Sequence, residues 1–146
     1  MSDGQFDGKV HILPVRVYYE DTDLSGIVYH ANYLRYMERG RMEFFRGAGV
    51  AEFAHLENEE PTAWTLRKVQ IEYFRPARLN DLLEVRTRLT ELTGARMSAS
   101  QQVYCRGQQL TQASVEACVI TLQGKPRRIP KSTYEALAPY LYETTA

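Results

Sequence analysis

The sequence changes from a strand pattern to a helix pattern within the stretch Tyr18-Tyr19-Glu20-Asp21-Thr22-Asp23-Leu24-Ser25-Gly26-Ile27-Val28-Tyr29-His30-Ala31-Asn32-Tyr33. Before it, apolar and β-branched residues alternate with polar ones, which predicts a strand over residues 10–19. After it, apolar residues recur at helical spacing, which predicts a helix of about four turns. The helix should start at residues 30–32 and stop at Gly47 or Gly49. The turn formers in between predict an exposed loop that leads into the helix.

Four more strands are predicted after the helix, because apolar residues there recur at a period of two. Residues on one face of each strand are Val69, Ile71 and Tyr73; Leu83, Val85, Thr87 and Leu89; Met97, Ala99 and Val103; and Val115, Ala117 and Val119, with breaks at Gly94 and Gly107. A short helical piece is predicted over Val50 to Leu56. Ser132 and Glu135 form a capping-box pattern, which predicts a terminal helix over Ser132 to Tyr142.

This order of elements predicts an α+β protein, in which a long central helix packs against a five-stranded antiparallel sheet and a short C-terminal helix follows. The length of 146 residues fits one domain over residues 1–146. One helix cannot cover five strands, so an outer face or an edge of the sheet should stay free for a dimer that continues the sheet. The aromatic residues Tyr33, Tyr36 and Trp64 are expected in the core or in an interface.

Composition and charge exclude several classes of protein. Eighteen Lys and Arg residues balance eighteen Asp and Glu residues, so the chain lacks the basic excess that dominates nucleic-acid binding. The two cysteines, Cys105 and Cys118, form no CxxC or Cys/His cluster, so no disulfide framework and no metal site is expected. We find no transmembrane run and no signal peptide, and therefore expect a cytoplasmic protein.

The loop before the helix admits several kinds of chemistry. Its first acidic and small residues match positions one, three, five and six of a calcium-binding EF-hand loop, but position twelve is Asn32 instead of glutamate. A Ser-His-Asp triad of Ser25, His30 and Asp23 lacks the GxSxG turn that exposes such a serine. Neither pattern is favoured.

A carboxylate beside the helix start is the better chemical interpretation. Backbone N–H groups in the first helical turn are unpaired and lie at the positive end of the helix dipole, so they can bind a carbonyl oxygen. The amide of His30 or its neighbour would stabilise an oxyanion while Asp23 attacks the carbonyl or activates water. Alternatively, Asp21 and Asp23 only form Asx turns. Asp21 is expected to be the more structural of the two.

Three longer motifs resemble one known family. They are Tyr19-Glu20-Asp21-Thr22-Asp23 with Gly26-Ile27-Val28-Tyr29-His30-Ala31-Asn32-Tyr33; Glu38-Arg39-Gly40-Arg41 with Glu43-Phe44-Phe45-Arg46; and Ile71-Glu72-Tyr73-Phe74-Arg75-Pro76-Ala77-Arg78-Leu79-Asn80-Asp81 with the tail Lys125-Pro126-Arg127-Arg128-Ile129-Pro130. The sequence resembles the hotdog-fold acyl-CoA thioesterases of the 4-hydroxybenzoyl-CoA thioesterase class, in their Tol-Pal-associated branch. The resemblance covers about residues 10–140 and implies the hotdog fold, a long helix wrapped by a curved antiparallel sheet.

The resemblance implies that Asp23 is the catalytic carboxylate and that the backbone amide of His30 polarises the thioester carbonyl. Glu38 is a second candidate, since a sister branch carries its catalytic carboxylate on the helix; an ion pair with Arg39 or Arg41 is the alternative. Coenzyme A is part of the substrate, and no other cofactor is implied. Residues expected to bind the substrate or its coenzyme A part are Tyr29, Lys125, Arg127 and Arg128, with Arg75 and Arg78 as weaker candidates.

The implied substrate is an acyl-CoA or an acyl carrier protein thioester, and the implied assembly is a homo-oligomer, either a dimer or a dimer of dimers. Two other functions remain open at this point. One is a non-catalytic acyl-thioester binding module or scaffold. The other is a hotdog dehydratase or hydratase, which needs a carboxylate about fourteen residues after its histidine, where this chain has Phe44. A link to the Tol-Pal system is implied by the resemblance only.

Overall fold

The computed structural model describes residues 3–50 and 54–142. Within them, eight strands form one antiparallel sheet with the order β1-β2-β5-β6-β7-β4-β3, and β8 pairs with β7. The strands are β1 (Gln5–Asp7), β2 (Val10–Arg16), β3 (Ala54–His55), β4 (Thr62–Tyr73), β5 (Leu82–Leu92), β6 (Arg96–Cys105), β7 (Gln108–Thr121) and β8 (Pro126–Arg127). The long strands β4 to β7 are neighbours or near neighbours because short turns connect β5, β6 and β7.

The long helix α1 (Asn32–Ala48) packs against the sheet and ends at Gly49, whose φ of 98° closes the helix in the left-handed conformation. Both ends therefore agree with the prediction. Gly40 lies where helix and sheet approach most closely: a Cβ there would lie 2.8 Å from Val85 Cγ1 and 2.9 Å from Thr87 Oγ1. A glycine at this position lets the helix sit directly on β5.

The core consists of two apolar clusters along α1. The first surrounds Tyr36 and Met37, which are fully buried, and the second surrounds Phe44 and Phe45. Tyr33 is also buried, so the prediction that the helix tyrosines belong to the core is confirmed. Together the clusters hold one side of α1 against the sheet, and burial of this apolar surface is the main stabilising contribution.

The number of strands was predicted incorrectly. The five long strands are present, but the described residues add three short ones, β1, β3 and β8. The first long strand ends at Arg16 instead of residue 19, and a 3₁₀ turn, Tyr19–Asp21, follows it. In place of the helical piece predicted over Val50 to Leu56, Ala54–His55 forms β3; residues 51–53 lie outside the described part.

The C-terminal helix α2 (Lys131–Leu137) is shorter than predicted, and a 3₁₀ turn, Ala138–Tyr140, follows it. The predicted capping box is wrong. Pro130 is the N-cap, so Ser132 already lies inside the first turn and cannot cap it, while Glu135 is 3.8 Å from Lys131. Pro139 has no amide hydrogen to donate, which explains why the α-helix stops here.

One edge of the sheet is free. β3 covers only Thr62 and Ala63 of β4, and residues 64–73 of that edge have no neighbouring strand in the described part of the chain. Leu66, Val69 and Tyr73 on this strand are each about two-fifths exposed, at 40%, 38% and 44%. The structure thus confirms that an edge remains available for pairing. No helix in the described residues is long and apolar enough to cross a bilayer.

Candidate active site

The loop between β2 and α1 is fixed by backbone hydrogen bonds. The Asp23 amide donates to the Ile27 carbonyl at 3.1 Å, and the Gly26 amide donates to the Asp23 carbonyl at 3.0 Å. The Val28 amide donates to the Ala77 carbonyl at 2.9 Å, which fastens the loop to the segment before β5. The loop therefore presents Asp23 from a closed turn that has its own anchor.

Asp21 joins this loop to the start of the helix. Its buried carboxylate accepts hydrogen bonds from the Tyr18 amide at 2.8 Å and from Asn32 Nδ2 at 2.7 Å. Asn32 is the first residue of α1, so the contact sets where the helix begins relative to the loop. The prediction that Asp21 is the more structural of the two aspartates is confirmed.

Asp23 is exposed, and its environment favours the ionised form. Its Oδ1 accepts a hydrogen bond from the Ser25 hydroxyl at 2.5 Å and another from the Ser25 amide at 2.9 Å. The hydroxyl first, then the amide, and to a smaller extent the charge of His30 lower the pKa of Asp23 below its usual value. Oδ2 has no hydrogen-bond partner among the described residues, which leaves one carboxylate oxygen free to react.

The two disfavoured patterns in this loop do not match the geometry. Ser25 donates to Asp23, and no hydrogen bond in the described part joins it to His30, so a serine nucleophile has no base. The carboxylates of Asp21 and Asp23 bind separate partners, one buried and one exposed, instead of converging on one point as calcium ligands do.

His30 lies in the turn before α1 and offers its backbone amide. That amide donates to no acceptor within the described residues, whereas the Asn32 amide is used by the Tyr29 carbonyl at 2.8 Å. The His30 carbonyl accepts a 2.8 Å hydrogen bond from the Tyr73 hydroxyl. The Tyr29 ring lies against the His30 ring, with centroids 4.5 Å apart. The peptide before α1 is therefore held by Tyr73 while its N–H group remains available.

Sequence reasoning missed the role of Tyr73. It was assigned only to one face of a strand, and 43 residues separate it from His30. The one local signal was an aromatic residue with a polar tip at the end of a strand, a position where the hydroxyl can reach a backbone group of another segment.

Glu38 lies away from this loop, on the wall of a groove between α1 and the sheet. The groove has a volume of about 410 Å³ and is lined by Glu38, Arg41, Met42, Phe45, Trp64, Thr65, Leu66, Met97 and Ala117. Glu38 forms no ion pair with a described residue, so the predicted pairing with Arg39 or Arg41 is absent from the structure. Trp64 packs edge to face on Phe45 and lines the groove, so it belongs to this wall as well as to the core.

The basic turn predicted to bind coenzyme A differs among its three members. Arg127 donates to both carboxylate oxygens of Glu60, at 2.5 and 2.8 Å, and this pairing lowers the pKa of Glu60. The Arg128 guanidinium lies over Gly94, at a position that a Cβ there would occupy. Lys125 is exposed and forms no ion pair with a described residue.

This turn lies far from Asp23 within one chain. Arg127 is opposite Val119 of β7, which is opposite Trp64 of β4. Tyr73, which contacts His30, is nine residues further along β4, about 30 Å away for an extended strand. The structure therefore does not bring the two predicted parts of the site together within one chain.

Residues 17–137 match the thioesterase-like superfamily. The chain belongs to this superfamily. It is 42% identical over 121 residues to the acyl-CoA thioester hydrolase YbgC of Escherichia coli, an alignment that covers 82% of this chain and 89% of that protein. It is 40% identical over 133 residues to the acyl-CoA thioesterase YbgC of Helicobacter pylori, covering 88% and 93%.

Solved structures of superfamily members have the same fold. A probable thioesterase from Bartonella henselae superposes with a TM-score of 0.79 at 42% sequence identity, covering 84% of this chain and 98% of that one. The family resemblance inferred from the loop and helix motifs is thus confirmed. The loop that carries Asp23 and His30 lies within the matched residues 17–137.

Proposed function

We propose that this protein is an acyl-CoA thioesterase that uses Asp23 and the backbone amide of His30. The observation that carries the proposal is the pairing of an exposed carboxylate of lowered pKa with an unpaired N–H group at the start of α1. Relatives with about two-fifths identical residues are named acyl-CoA thioester hydrolases, which supports the same reaction here.

In the proposed reaction, the thioester carbonyl accepts a hydrogen bond from the His30 amide. The positive end of the helix dipole and this N–H group stabilise the oxyanion, a contribution of about 3 kcal/mol for one such donor. Tyr73 holds the His30 peptide through its carbonyl and so positions the donor. Because the amide belongs to the backbone, the His30 imidazole is not needed as a base.

Two roles of Asp23 fit this geometry. As a nucleophile, its free oxygen attacks the carbonyl, expels the thiolate of coenzyme A and forms a mixed anhydride that water then cleaves. As a general base, it removes a proton from a water molecule that attacks the carbonyl directly. A single turnover in ¹⁸O-labelled water distinguishes them, because only the anhydride route leaves an oxygen of Asp23 in the product acid.

We assign the chemistry to Asp23 and not to Glu38. Glu38 is six residues beyond Asn32 in α1, which places it about 9 Å further along the helix axis than the first turn. Its carboxylate faces the groove, which is the part of the surface that an acyl chain would occupy. Within one chain it is therefore too far along the helix to act on a carbonyl held by the His30 amide.

We further propose a homodimer in which the free edges of β4 pair antiparallel. A two-fold axis through the middle of the free stretch, residues 64–73, places Tyr73 of one copy opposite Trp64 of the other. The His30 amide of one copy would then lie beside the groove of its partner. This arrangement explains why the groove and the reactive loop are separated in a single chain.

The same pairing brings the basic turn of one copy to the side of the other copy's reactive loop. Lys125 and Arg128 are then the better candidates for the coenzyme A phosphates, because Arg127 is already bound by Glu60. Tyr29, which is 48% exposed beside His30, is proposed to contact the pantetheine arm. That arm also occurs in acyl carrier protein, so both carriers belong in the substrate panel.

The other two functions are less well supported. For the dehydratase or hydratase, the required carboxylate position is Phe44, which is 2% exposed inside the core, and the neighbouring Glu43 pairs with Arg46. For the binding module, a reactive carboxylate beside a free amide would have no use. The cytoplasmic location and a Tol-Pal association stay predictions.

The proposed activity is tested by thiol release from short, medium, long and aromatic acyl-CoAs, with sedimentation of the same sample. We expect turnover of at least one thioester by a dimer or a dimer of dimers. Binding without turnover of any thioester would support the binding module instead. A monomer with full activity would contradict the pairing of β4 edges but leave the reaction intact.

A further inference from the structure

Arg41 is held in a fixed orientation inside the groove of α1. Its Nη1 donates to Gln101 Oε1 at 2.9 Å. Gln101 is fully buried, and its amide nitrogen donates to the Met37 carbonyl and to Thr87 Oγ1, both at 2.9 Å. Because these two bonds fix the side-chain amide, Gln101 presents its oxygen to Arg41 and holds the guanidinium in place.

The charge of Arg41 is not neutralised by this partner. Gln101 is neutral, and no carboxylate in the described part of the chain forms an ion pair with Arg41. Burial lowers the pKa of the guanidinium, and the charge of Glu38 only partly opposes this effect. The remaining N–H groups of the side chain have no acceptor within the described residues. A partly desolvated cation with free donors is costly unless a ligand supplies an acceptor.

The surroundings of Arg41 are otherwise apolar. Met42, Phe45, Trp64, Leu66 and Met97 form most of the groove, and Glu38 is the other charged residue on its wall. An alkyl chain placed here would contact these apolar side chains but would also cover the guanidinium with hydrocarbon. An oxygen on the chain would accept a hydrogen bond from Arg41 and remove that cost.

We infer that Arg41 is a specificity residue that reads an oxygen on the acyl group, away from the thioester. The inference rests on the proposed function, since it assigns the acyl group of the thioester to this groove. Glu38, three residues earlier on the same wall, repels a carboxylate and can accept a hydrogen bond from a hydroxyl group. The substrate class is therefore a hydroxyacyl thioester, in preference to a plain or a carboxylated acyl chain.

A purely structural role of Arg41 predicts a different result. If its bond to Gln101 served only to hold α1 on the sheet, its loss would lower stability and would affect all acyl chains equally. The informative quantity is therefore the ratio of kcat/KM between oxygenated and plain substrates, and not the activity itself.

The test uses acyl-CoAs of matched chain length that end in a methyl, a hydroxyl or a carboxylate group. We expect the wild type to prefer the hydroxyl over the methyl form by about tenfold in kcat/KM at its best chain length. Arg41→Met should remove this preference and retain turnover of the methyl form. The control Arg46→Met, an exposed change in the last turn of the same helix and outside the groove, should retain the preference.

Two further measurements make the result decisive. Arg41→Lys keeps the charge with one fewer donor direction, so a reduced preference in this variant supports the inference even where Arg41→Met fails to fold. Calorimetric binding of the same acyl-CoAs to Asp23→Asn measures selectivity without turnover. Selective binding without hydrolysis by the wild type would overturn the proposed function alone. Hydrolysis with no preference for the hydroxyl form, or a preference that survives Arg41→Met, would overturn the role of Arg41.

Discussion

The Ser25 hydroxyl donates a 2.5 Å hydrogen bond to Oδ1 of Asp23, the carboxylate that we expect to react. The Ser25 amide binds the same oxygen, so both donors act on one side of the carboxylate and leave Oδ2 free. The contact orients the reactive group and keeps it ionised. A two-residue turn thus controls both the direction and the charge of Asp23.

Replacing Ser25 by alanine should shift the acidic limb of the pH profile. A donor to the carboxylate lowers its pKa, so loss of the hydroxyl raises the pKa of Asp23, and less of it is ionised at a given acidic pH. The acidic limb of kcat/KM should therefore move to higher pH. Thr22→Val is the control, because the Thr22 hydroxyl bonds to the Tyr19 carbonyl and not to Asp23. An unchanged limb in Ser25→Ala would show that Asp23 does not set it.

Tyr73→Phe should lower kcat by about two- to tenfold, the usual range for the loss of one hydrogen bond. The hydroxyl that holds the His30 carbonyl is lost, so the amide donor on that loop is less well positioned. Steady-state kinetics on the preferred acyl-CoA measure the change. Tyr134→Phe, an exposed tyrosine on α2, should behave as the wild type. Equal kinetics for both variants would remove Tyr73 from the site.

The two aspartates should separate stability from activity. Asp21→Ala leaves the Tyr18 amide and the Asn32 side chain without their acceptor, which should cost about 1–3 kcal/mol of unfolding free energy. Asp23→Asn, at an exposed position, should change the unfolding free energy by less than about 0.5 kcal/mol. Urea denaturation measures both. A large loss of stability in Asp23→Asn would mean that it is a structural residue.

His11 should make the folded state sensitive to mild acid. It is 2% exposed beside Phe6 and Phe44, and burial lowers its pKa, an effect that the charge of Glu43 partly opposes. Above its ordinary pKa of 6.5, neutral His11 costs nothing; as the pH falls below that value, the unfolded chain takes up the proton first and stability is lost.

The corresponding comparison is urea denaturation of the wild type and His11→Leu at pH values above and below the ordinary histidine pKa. The wild type should lose more stability on acidification than His11→Leu. His30→Gln, a change at an exposed histidine, should follow the wild type. Parallel losses in the wild type and His11→Leu would show that other groups cause the acid sensitivity.

Regular elements of the fold were predictable because they have a period. The apolar spacing of α1 and the glycine at its end located the helix, and alternation located the long strands. β1, β3 and β8 have two or three residues each, too few for any period to be visible. The capping-box prediction failed because Pro130, just before the motif, took the N-cap position.

The candidate site was only partly predictable for a similar reason. Asp23 and His30 are close in sequence, so a loop before a helix revealed them. Tyr73 reaches His30 only through the tertiary fold. The groove around Arg41 combines residues of α1 and three strands, and no spacing along the chain indicates that these elements meet there.

The most direct test of the account is kcat for Asp23→Asn on the best acyl-CoA of the wild type, at matched folding and oligomeric state. Thiol release is measured over a range of substrate concentrations that gives kcat and KM separately. We predict that kcat falls by about a hundredfold or more while KM barely changes, because Asp23 acts in the transition state. A kcat within a few-fold of the wild type would contradict the assignment of Asp23 as the catalytic carboxylate.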